Sequence, residues 1–101
     1  MNSSKILAID DERHVRNLIQ SEFALEGLQV VTAKDGEEGL KAMGAEEFDL
    51  VLLDLRLPRM DGMEVLVHIK DRVPAMPVIM VTGYGDIQTA VESMKRGAFN
   101  Y

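Results

Sequence analysis

Residues 49–54 read Asp49-Leu50-Val51-Leu52-Leu53-Asp54. Every residue from 50 to 53 is apolar, so a strand over 49–53 has to be covered on both of its faces. A strand of this kind is typical of a parallel sheet that lies between layers of helices. The segment therefore predicts an α/β fold, with Asp54 at the carboxyl end of a central strand.

Strand-like and helix-like patterns alternate on both sides of this segment. The predicted strands cover 5–9, 28–32, 49–53, 78–81 and the start of a fifth from 98. The predicted helices cover 12–26, 35–44, 63–72 and 86–97. Successive strand–helix units favour an open, doubly wound parallel sheet of flavodoxin-like strand order 2-1-3-4-5. In that order, ligands bind beyond the carboxyl ends of the first and third strands.

Composition narrows the function classes. The chain has 101 residues, which we interpret as a single domain over 1–101. The net charge of −6 argues against a nucleic-acid-binding surface, and the absence of cysteine excludes a disulfide scaffold and a thiolate metal site. No stretch has the length of a membrane span. We expect a cytoplasmic protein that contacts neither membrane nor nucleic acid itself.

Three aspartates carry the chemistry that the sequence predicts. Asp10 and Asp11 follow the first strand and Asp54 follows its predicted neighbour, so their carboxylates should lie within a few ångströms of one another. Like charges this close need a cation, and hard oxygen donors favour Mg²⁺ or Mn²⁺. A metal beside a free carboxylate suggests phosphoryl transfer with the carboxylate as nucleophile.

Each of these signals has a plainer interpretation when it is taken alone. An aspartate at the end of a strand is often only a turn or cap residue. Thr82 ends the fourth strand, and its hydroxyl could donate to a phosphoryl oxygen on Asp54, but threonine also simply favours strands. The coincidence of the acidic residues at adjacent strand ends, where the strand order reverses, favours the functional interpretation.

The sequence resembles the receiver domain of two-component response regulators over essentially its whole length. The segments that carry the resemblance are Ile6–Glu12, Asp35–Leu40, Asp49–Gly62, Pro77–Gly85 and Ala98–Tyr101. They agree with the family in order and spacing, which is far more specific than any single motif. Residues 82–101 are most similar to receivers of transcriptional regulators of the nitrogen-regulation type.

The resemblance implies a signalling switch rather than a turnover enzyme. Asp54 would accept a phosphoryl group from a phosphohistidine on a sensor histidine kinase or a phosphotransfer protein. The implied Mg²⁺ ligands are Asp11 directly, Asp10 through water, Asp54 and the backbone carbonyl of Arg56. Thr82 would be the switch hydroxyl and Tyr101 the switch aromatic, and together they would control a transcriptional output in a longer parent protein.

One departure from the family pattern concerns the C-terminal end. Family receivers carry a lysine shortly after the switch aromatic and then a last helix, and this sequence stops at Tyr101. Lys95 and Arg96 belong to the preceding helix and cannot take that role. We therefore expect a truncated receiver in which apolar side chains of the first and third strands are exposed. Such a chain should be unstable as a monomer or should self-associate, as a homodimer or domain-swapped assembly.

Three alternatives stay open at this point. An aspartate-nucleophile phosphatase of the haloacid-dehalogenase type would normally carry a second aspartate two residues after the nucleophile, where this chain has Arg56. A flavodoxin-like cofactor-binding module would need a phosphate-cradling loop after the first strand, and none is evident. A phosphorylation-independent interaction domain would fit the missing lysine.

Overall fold

The computed structural model of the chain describes residues 4–82, 86–88, 90 and 91. Strands and helices alternate along these residues: β1 (Lys5–Ile9), α1 (Arg13–Ala24), β2 (Gln29–Ala33), α2 (Gly36–Ala45), β3 (Leu50–Asp54), α3 (Gly62–Arg72) and β4 (Val78–Val81). Residues 86–88, 90 and 91 are also helical. Within the described residues the predicted elements are confirmed; β2 and β3 are each displaced by one residue toward the C-terminus, and α1 is shorter than the predicted 12–26.

The four strands form one parallel sheet in the order β2-β1-β3-β4. This confirms the doubly wound plan over the strands that the structure describes. The register pairs Ile9 of β1 with Leu53 of β3, and Asp54 with Val81 of β4. The residues that follow β1, β3 and β4 therefore meet at one edge of the sheet.

Local signals in the sequence set the helix ends. The Asp35 carboxylate accepts a hydrogen bond of 2.8 Å from the Glu38 N–H at the start of α2, and the Asp61 carboxylate accepts one of 2.9 Å from the Glu64 N–H at the start of α3. These contacts satisfy N–H groups that have no partner within the helix. Gly27 has φ of +74°, a left-handed conformation that turns the chain after α1.

Each face of the sheet carries its own core. We call the side covered by α1 the α1 face; its buried residues are Ile6, Ala8, Ile19, Phe23, Leu50, Leu52, Ile79, Val81, Ile87 and Ala90. The opposite side is the α2–α3 face; its buried residues are Leu7, Ile9, Ala33, Leu40, Phe48, Val51, Leu53, Val65, Ile69 and Met76. Burial on both faces explains the continuous apolar run of β3.

The expectation of exposed apolar side chains on the first and third strands is wrong. Ile6, Ala8, Leu50 and Leu52 are at most 1% exposed. Ile19 and Phe23 of α1 pack on them, together with Ile87 and Ala90 from the helical residues that follow β4. Those helical residues take the position beside α1 that the doubly wound plan reserves for a last helix.

Several predictions fall outside the described residues. They concern the fifth strand, the switch aromatic Tyr101, and Lys95 and Arg96. Within the described residues, no helix combines the length and the apolar character that crossing a membrane requires.

Candidate functional site

The three predicted aspartates meet at the carboxyl edge of the sheet. Asp10 and Asp11 follow β1, and Asp54 is the last residue of the neighbouring strand β3. One carboxylate oxygen from each lies within 4.8 Å of the others. Parallel pairing alone brings these residues together, because it places the ends of adjacent strands at one edge.

Asp10 is the buried member of this acidic cluster, with 6% of its surface exposed. Its N–H donates to the Ala33 carbonyl at 3.0 Å, and its Oδ1 accepts from the Glu12 N–H at 2.9 Å. Burial raises the pKa of Asp10; the bond from Glu12 opposes this, and repulsion from Asp54, Asp11 and Glu12 adds to the rise.

Asp54 is half-buried and more accessible than Asp10. Its Oδ1 accepts a hydrogen bond of 3.0 Å from the Arg56 N–H, which orients the carboxylate. Burial raises the pKa of Asp54, the Arg56 bond opposes the rise, and the Asp11 carboxylate beside it raises it further. At both Asp10 and Asp54, burial and the neighbouring carboxylates outweigh the backbone N–H bond that favours the charged form.

The acidic cluster lines an open cleft of about 700 Å³. The cleft is bounded by Val15 and Leu18 of α1 on one side and by Val81 and Thr82 on another. Thr82 therefore shares a cleft with Asp54, as the sequence predicted. The position of the Arg56 carbonyl relative to the carboxylates stays a prediction, although Arg56 also lines the cleft.

The Thr82 hydroxyl already has a partner inside the chain. Its Oγ1 donates to Asp86 Oδ2 at 2.8 Å, and its N–H donates to the same oxygen at 2.9 Å. Asp86 is itself helical, and its carboxylate accepts both of these bonds from Thr82. The hydroxyl is thus tied to the helical residues that follow β4.

Gly62 brings α3 close to the backbone of Asp54. Its N–H donates to the Leu55 carbonyl at 3.0 Å. A Cβ on Gly62 would lie closer to the Asp54 carbonyl oxygen and the Leu55 backbone than real side chains do. Only glycine allows this approach, so the start of α3 fixes the backbone that carries Asp54.

Sequence reasoning missed two arginines near this edge. Arg16 donates from Nη1 to the Asp10 carbonyl at 2.8 Å, and Arg59 donates from Nη2 to Asp35 Oδ2 at 2.8 Å. Arg16 lies six positions after Asp10, in the first turn of α1, which is a weak signal that could have drawn attention to it. Arg59 and Asp35 are 24 positions apart, and no local pattern predicts their contact.

The donor set fits a hard divalent cation. Three carboxylates converge without histidine or cysteine, and Mg²⁺ prefers oxygen ligands of this kind. Burial is the first cause of the raised pKa values of Asp10 and Asp54, and repulsion between the neighbouring carboxylates adds to it; a cation would relieve that repulsion.

The fold and the site define an open, doubly wound α/β domain with an acidic cluster where its strand order reverses. A family model, the response regulator receiver domain, matches residues 6–101. The chain belongs to this family. It is therefore a receiver domain of two-component signalling, of the type found in NtrC-like transcriptional regulators.

Two curated relatives come from Escherichia coli strain K12. The regulatory protein AtoC is 38% identical over 98 residues, and the DNA-binding transcriptional regulator NtrC is 36% identical over 101 residues. The matches cover 97% and 100% of this chain. The chain spans about one fifth of the length of these relatives, 21% and 22%.

Solved structures show the same fold. The response regulator TrrA from Thermotoga maritima, in complex with Mg²⁺ and BeF, is 34% identical, with a TM-score of 0.77 over 97% of this chain and 84% of that one. A structure of the histidine kinase ThkA in complex with TrrA matches with 37% identity and a TM-score of 0.75, over 80% of this chain and 70% of that one.

Proposed function

We propose that this chain is a phosphorylation-dependent switch that accepts a phosphoryl group on Asp54 with the help of Mg²⁺. The observation that carries the proposal is the convergence of Asp10, Asp11 and Asp54 within 4.8 Å in an open cleft. Asp54 is the candidate acceptor because it is more accessible than Asp10 and the Arg56 N–H orients its carboxylate. The complexes of TrrA with Mg²⁺ and BeF and with a histidine kinase support this assignment.

Asp10, Asp11, Asp54 and the backbone carbonyl of Arg56 would hold the Mg²⁺ ion. When bound, the ion supplies positive charge that offsets repulsion between the Asp54 carboxylate and the phosphoryl oxygens. A carboxylate oxygen of Asp54 attacks phosphorus; an O–P bond forms while the P–N bond of a phosphohistidine breaks, and the imidazole leaves. Phosphoryl transfer depends mainly on positioning and charge neutralisation, which the chain provides by fixing Asp54 between Arg56 and Gly62.

Thr82 links the acceptor to the helical residues after β4. We expect its hydroxyl to leave Asp86 and donate to a phosphoryl oxygen on Asp54, since both residues line one cleft. The loss of that bond would bias how the helical residues Ile87 and Ala90 pack, which is a population shift between two arrangements. Tyr101, proposed as the switch aromatic, lies outside the described residues.

The biological setting follows from the same proposal. The donor would be a sensor histidine kinase or a phosphotransfer protein in a cytoplasmic phosphorelay, and the output a transcriptional one in a longer protein. The chain would assist its own phosphorylation and dephosphorylation without turning over a metabolite. The expected homodimer or domain-swapped assembly loses its original reason, because the apolar side chains of the first and third strands are buried; analytical ultracentrifugation tests it.

The decisive experiment is to incubate the chain with Mg²⁺ and acetyl phosphate and to measure its intact mass. We expect one phosphoryl adduct on the wild type and on Asp71→Asn, an exposed aspartate of α3 that serves as the matched control. Asp54→Asn should carry none. An adduct that persists on Asp54→Asn, or its absence from a wild type shown by circular dichroism to be folded, would contradict the proposal.

The same sample tests the phosphatase alternative. Release of many equivalents of phosphate from a small phosphomonoester would indicate a turnover enzyme. Arg56 stands where such enzymes usually carry a second aspartate, so we expect none. Full partner binding by Asp54→Asn would instead favour a phosphorylation-independent interaction domain.

A further inference from the structure

The hydrogen bonds around Asp10 hold its backbone as well as its side chain. The Asp10 N–H is bonded to β2 through the Ala33 carbonyl, and Oδ1 is bonded to the Glu12 N–H. The Asp10 carbonyl oxygen accepts from the guanidinium of Arg16 at 2.8 Å. Arg16 is half-buried, so this bond is shielded in part from competing water.

Asp11 depends on that carbonyl for its position. The Asp10 carbonyl and the Asp11 N–H belong to one planar peptide group, so fixing the carbonyl fixes the direction in which the chain enters Asp11. The Asp11 side chain is exposed, and the neighbour that its carboxylate contacts in the acidic cluster is Asp54, a group of like charge. Its placement in the acidic cluster therefore rests on the backbone.

We infer that Arg16 is a positioning residue that sets the Asp10–Asp11 peptide plane and thereby aims the Asp11 carboxylate at a Mg²⁺ ion. This inference rests on the proposed function, because it takes the acidic cluster as the metal site. Arg16 acts through a hydrogen bond to a carbonyl, one step removed from the carboxylate ligands. Partners of metal ligands in this position typically change metal affinity by about 10- to 100-fold when they are lost.

A charge effect and a positioning effect predict opposite results. Removing a cation near an acidic cluster makes the cleft more negative, so electrostatics alone would strengthen Mg²⁺ binding. Loss of the Arg16 bond should weaken it. Arg13 provides the matched control: it is exposed at the start of the same helix, and its substitution removes the same charge while leaving the bond to the Asp10 carbonyl in place.

The test is a Mg²⁺ titration of the full chain followed by ¹H–¹⁵N NMR. We expect Arg16→Met to weaken Mg²⁺ binding by about 10-fold, and Arg13→Met to leave it unchanged or slightly tighter. Arg16→Lys, which keeps the charge and one donor, should bind within about threefold of the wild type. Without Mg²⁺, the Asp11 amide resonance should move more in Arg16→Met than in Arg13→Met. This shift measures a change in the orientation of the Asp10–Asp11 peptide group without any metal present.

The outcomes separate this inference from the proposed function. A wild type that shows no saturable Mg²⁺ response would contradict the proposed metal site, while the metal-free Asp11 resonance would still test the role of Arg16. Equal Mg²⁺ affinity and equal Asp11 shifts in Arg16→Met and Arg13→Met would overturn the inference alone. If Arg16→Met does not fold, Arg16→Gln, whose side chain is too short to make the same bond, replaces it in both comparisons.

Discussion

Asp10 and Asp35 are two buried carboxylates at the same edge of one sheet. Asp10 follows β1 and is 6% exposed, and Asp35 lies two residues beyond β2 and is 7% exposed. One oxygen of each accepts a backbone N–H from a residue shortly downstream: Glu12 at 2.9 Å for Asp10, and Glu38 at 2.8 Å for Asp35. In burial and in local hydrogen bonding they are closely alike.

They differ in what surrounds the second oxygen. Asp35 Oδ2 accepts from the Arg59 guanidinium at 2.8 Å, whereas Asp10 lies against the carboxylates of Asp11 and Asp54. The pKa of Asp35 is lowered, first by the Glu38 bond and then by Arg59, and the pKa of Asp10 is raised, first by burial. Asp35 is thus a helix cap paired with a cationic side chain, whereas Asp10 is a buried carboxylate that lies among other carboxylates.

The largest expected difference is the response to Mg²⁺. At about 100 times its dissociation constant, a ligand that binds only the folded state adds about 2.7 kcal/mol to the free energy of unfolding. We expect that gain for the wild type and for Asp35→Asn, and a clearly smaller one for Asp10→Asn at the same Mg²⁺ concentration. Urea unfolding with and without Mg²⁺ measures this gain in the free energy of unfolding. Equal gains in all three chains would contradict the claim that Asp10, and not Asp35, belongs to the metal site.

Without metal, substitution of the two residues should change stability in opposite directions. Asp35→Ala removes the cap of α2 and should lower the free energy of unfolding by about 1 kcal/mol. Asp10→Asn keeps the shape of the side chain and removes a repelled charge, so it should raise the stability. Urea unfolding in EDTA provides the values; destabilisation by both substitutions would show that Asp10 is also mainly structural.

The pH dependence of the metal-free chain should separate the two residues further. The raised pKa of Asp10 means that the folded state binds the proton more tightly, so stability falls as pH rises from the ordinary value of 3.8 through the raised pKa. The lowered pKa of Asp35 has the opposite effect: stability is lost as pH falls below 3.8 through the lowered pKa.

Unfolding curves from about pH 3 to pH 7 test this prediction. Asp10→Asn should reduce the loss of stability that occurs as pH rises above 3.8. Asp54→Asn should do the same, because the pKa of Asp54 is also raised. Asp35→Asn should reduce the decline on the acid side. The reverse assignment of the two sides would contradict the difference between the two carboxylates.

The acidic cluster was predictable because it depends on topology alone. Apolar runs ending at Asp10 and Asp54 identify buried strands, and parallel pairing of neighbouring strands forces their ends together. Nothing beyond the order of the strands is required. The same logic predicted that Thr82 would share the cleft, since it follows β4 beside β3.

The contacts that distinguish Asp10 from Asp35 were not predictable. The bond between Arg59 and Asp35 joins two loops, and it depends on the rotamer of a long side chain rather than on local pattern. The sheet face on which Ile87 and Ala90 pack was also missed. Helical periodicity shows that Ile87 and Ala90 share a side, but which sheet face buries that side is decided by tertiary packing.

The smallest expected effect concerns Arg59, which completes the environment of Asp35. Its side chain is 76% exposed, so the ion pair should contribute only about 0.5 kcal/mol. Arg59 also has φ of +65°, a left-handed conformation that glycine adopts more easily. Arg59→Met should therefore lose the small ion-pair contribution, while Arg59→Gly loses the pair but relieves the backbone and should remain closer to the wild type.

The pKa of Asp35 in Arg59→Met shows whether the backbone bond from Glu38 lowers this pKa without help from the Arg59 guanidinium. The Glu38 N–H is the largest cause of the lowered pKa, so the value should rise but stay below 3.8. A carboxyl-carbon NMR titration measures it, with Arg56→Met as a control that removes an arginine outside the Asp35 contact. A pKa above 3.8 in Arg59→Met alone would mean that Asp35 stays charged when buried only because of Arg59. The environments of Asp10 and Asp35 would then differ by one cationic side chain, and the backbone bond from Glu38 would not be enough to lower the pKa of Asp35.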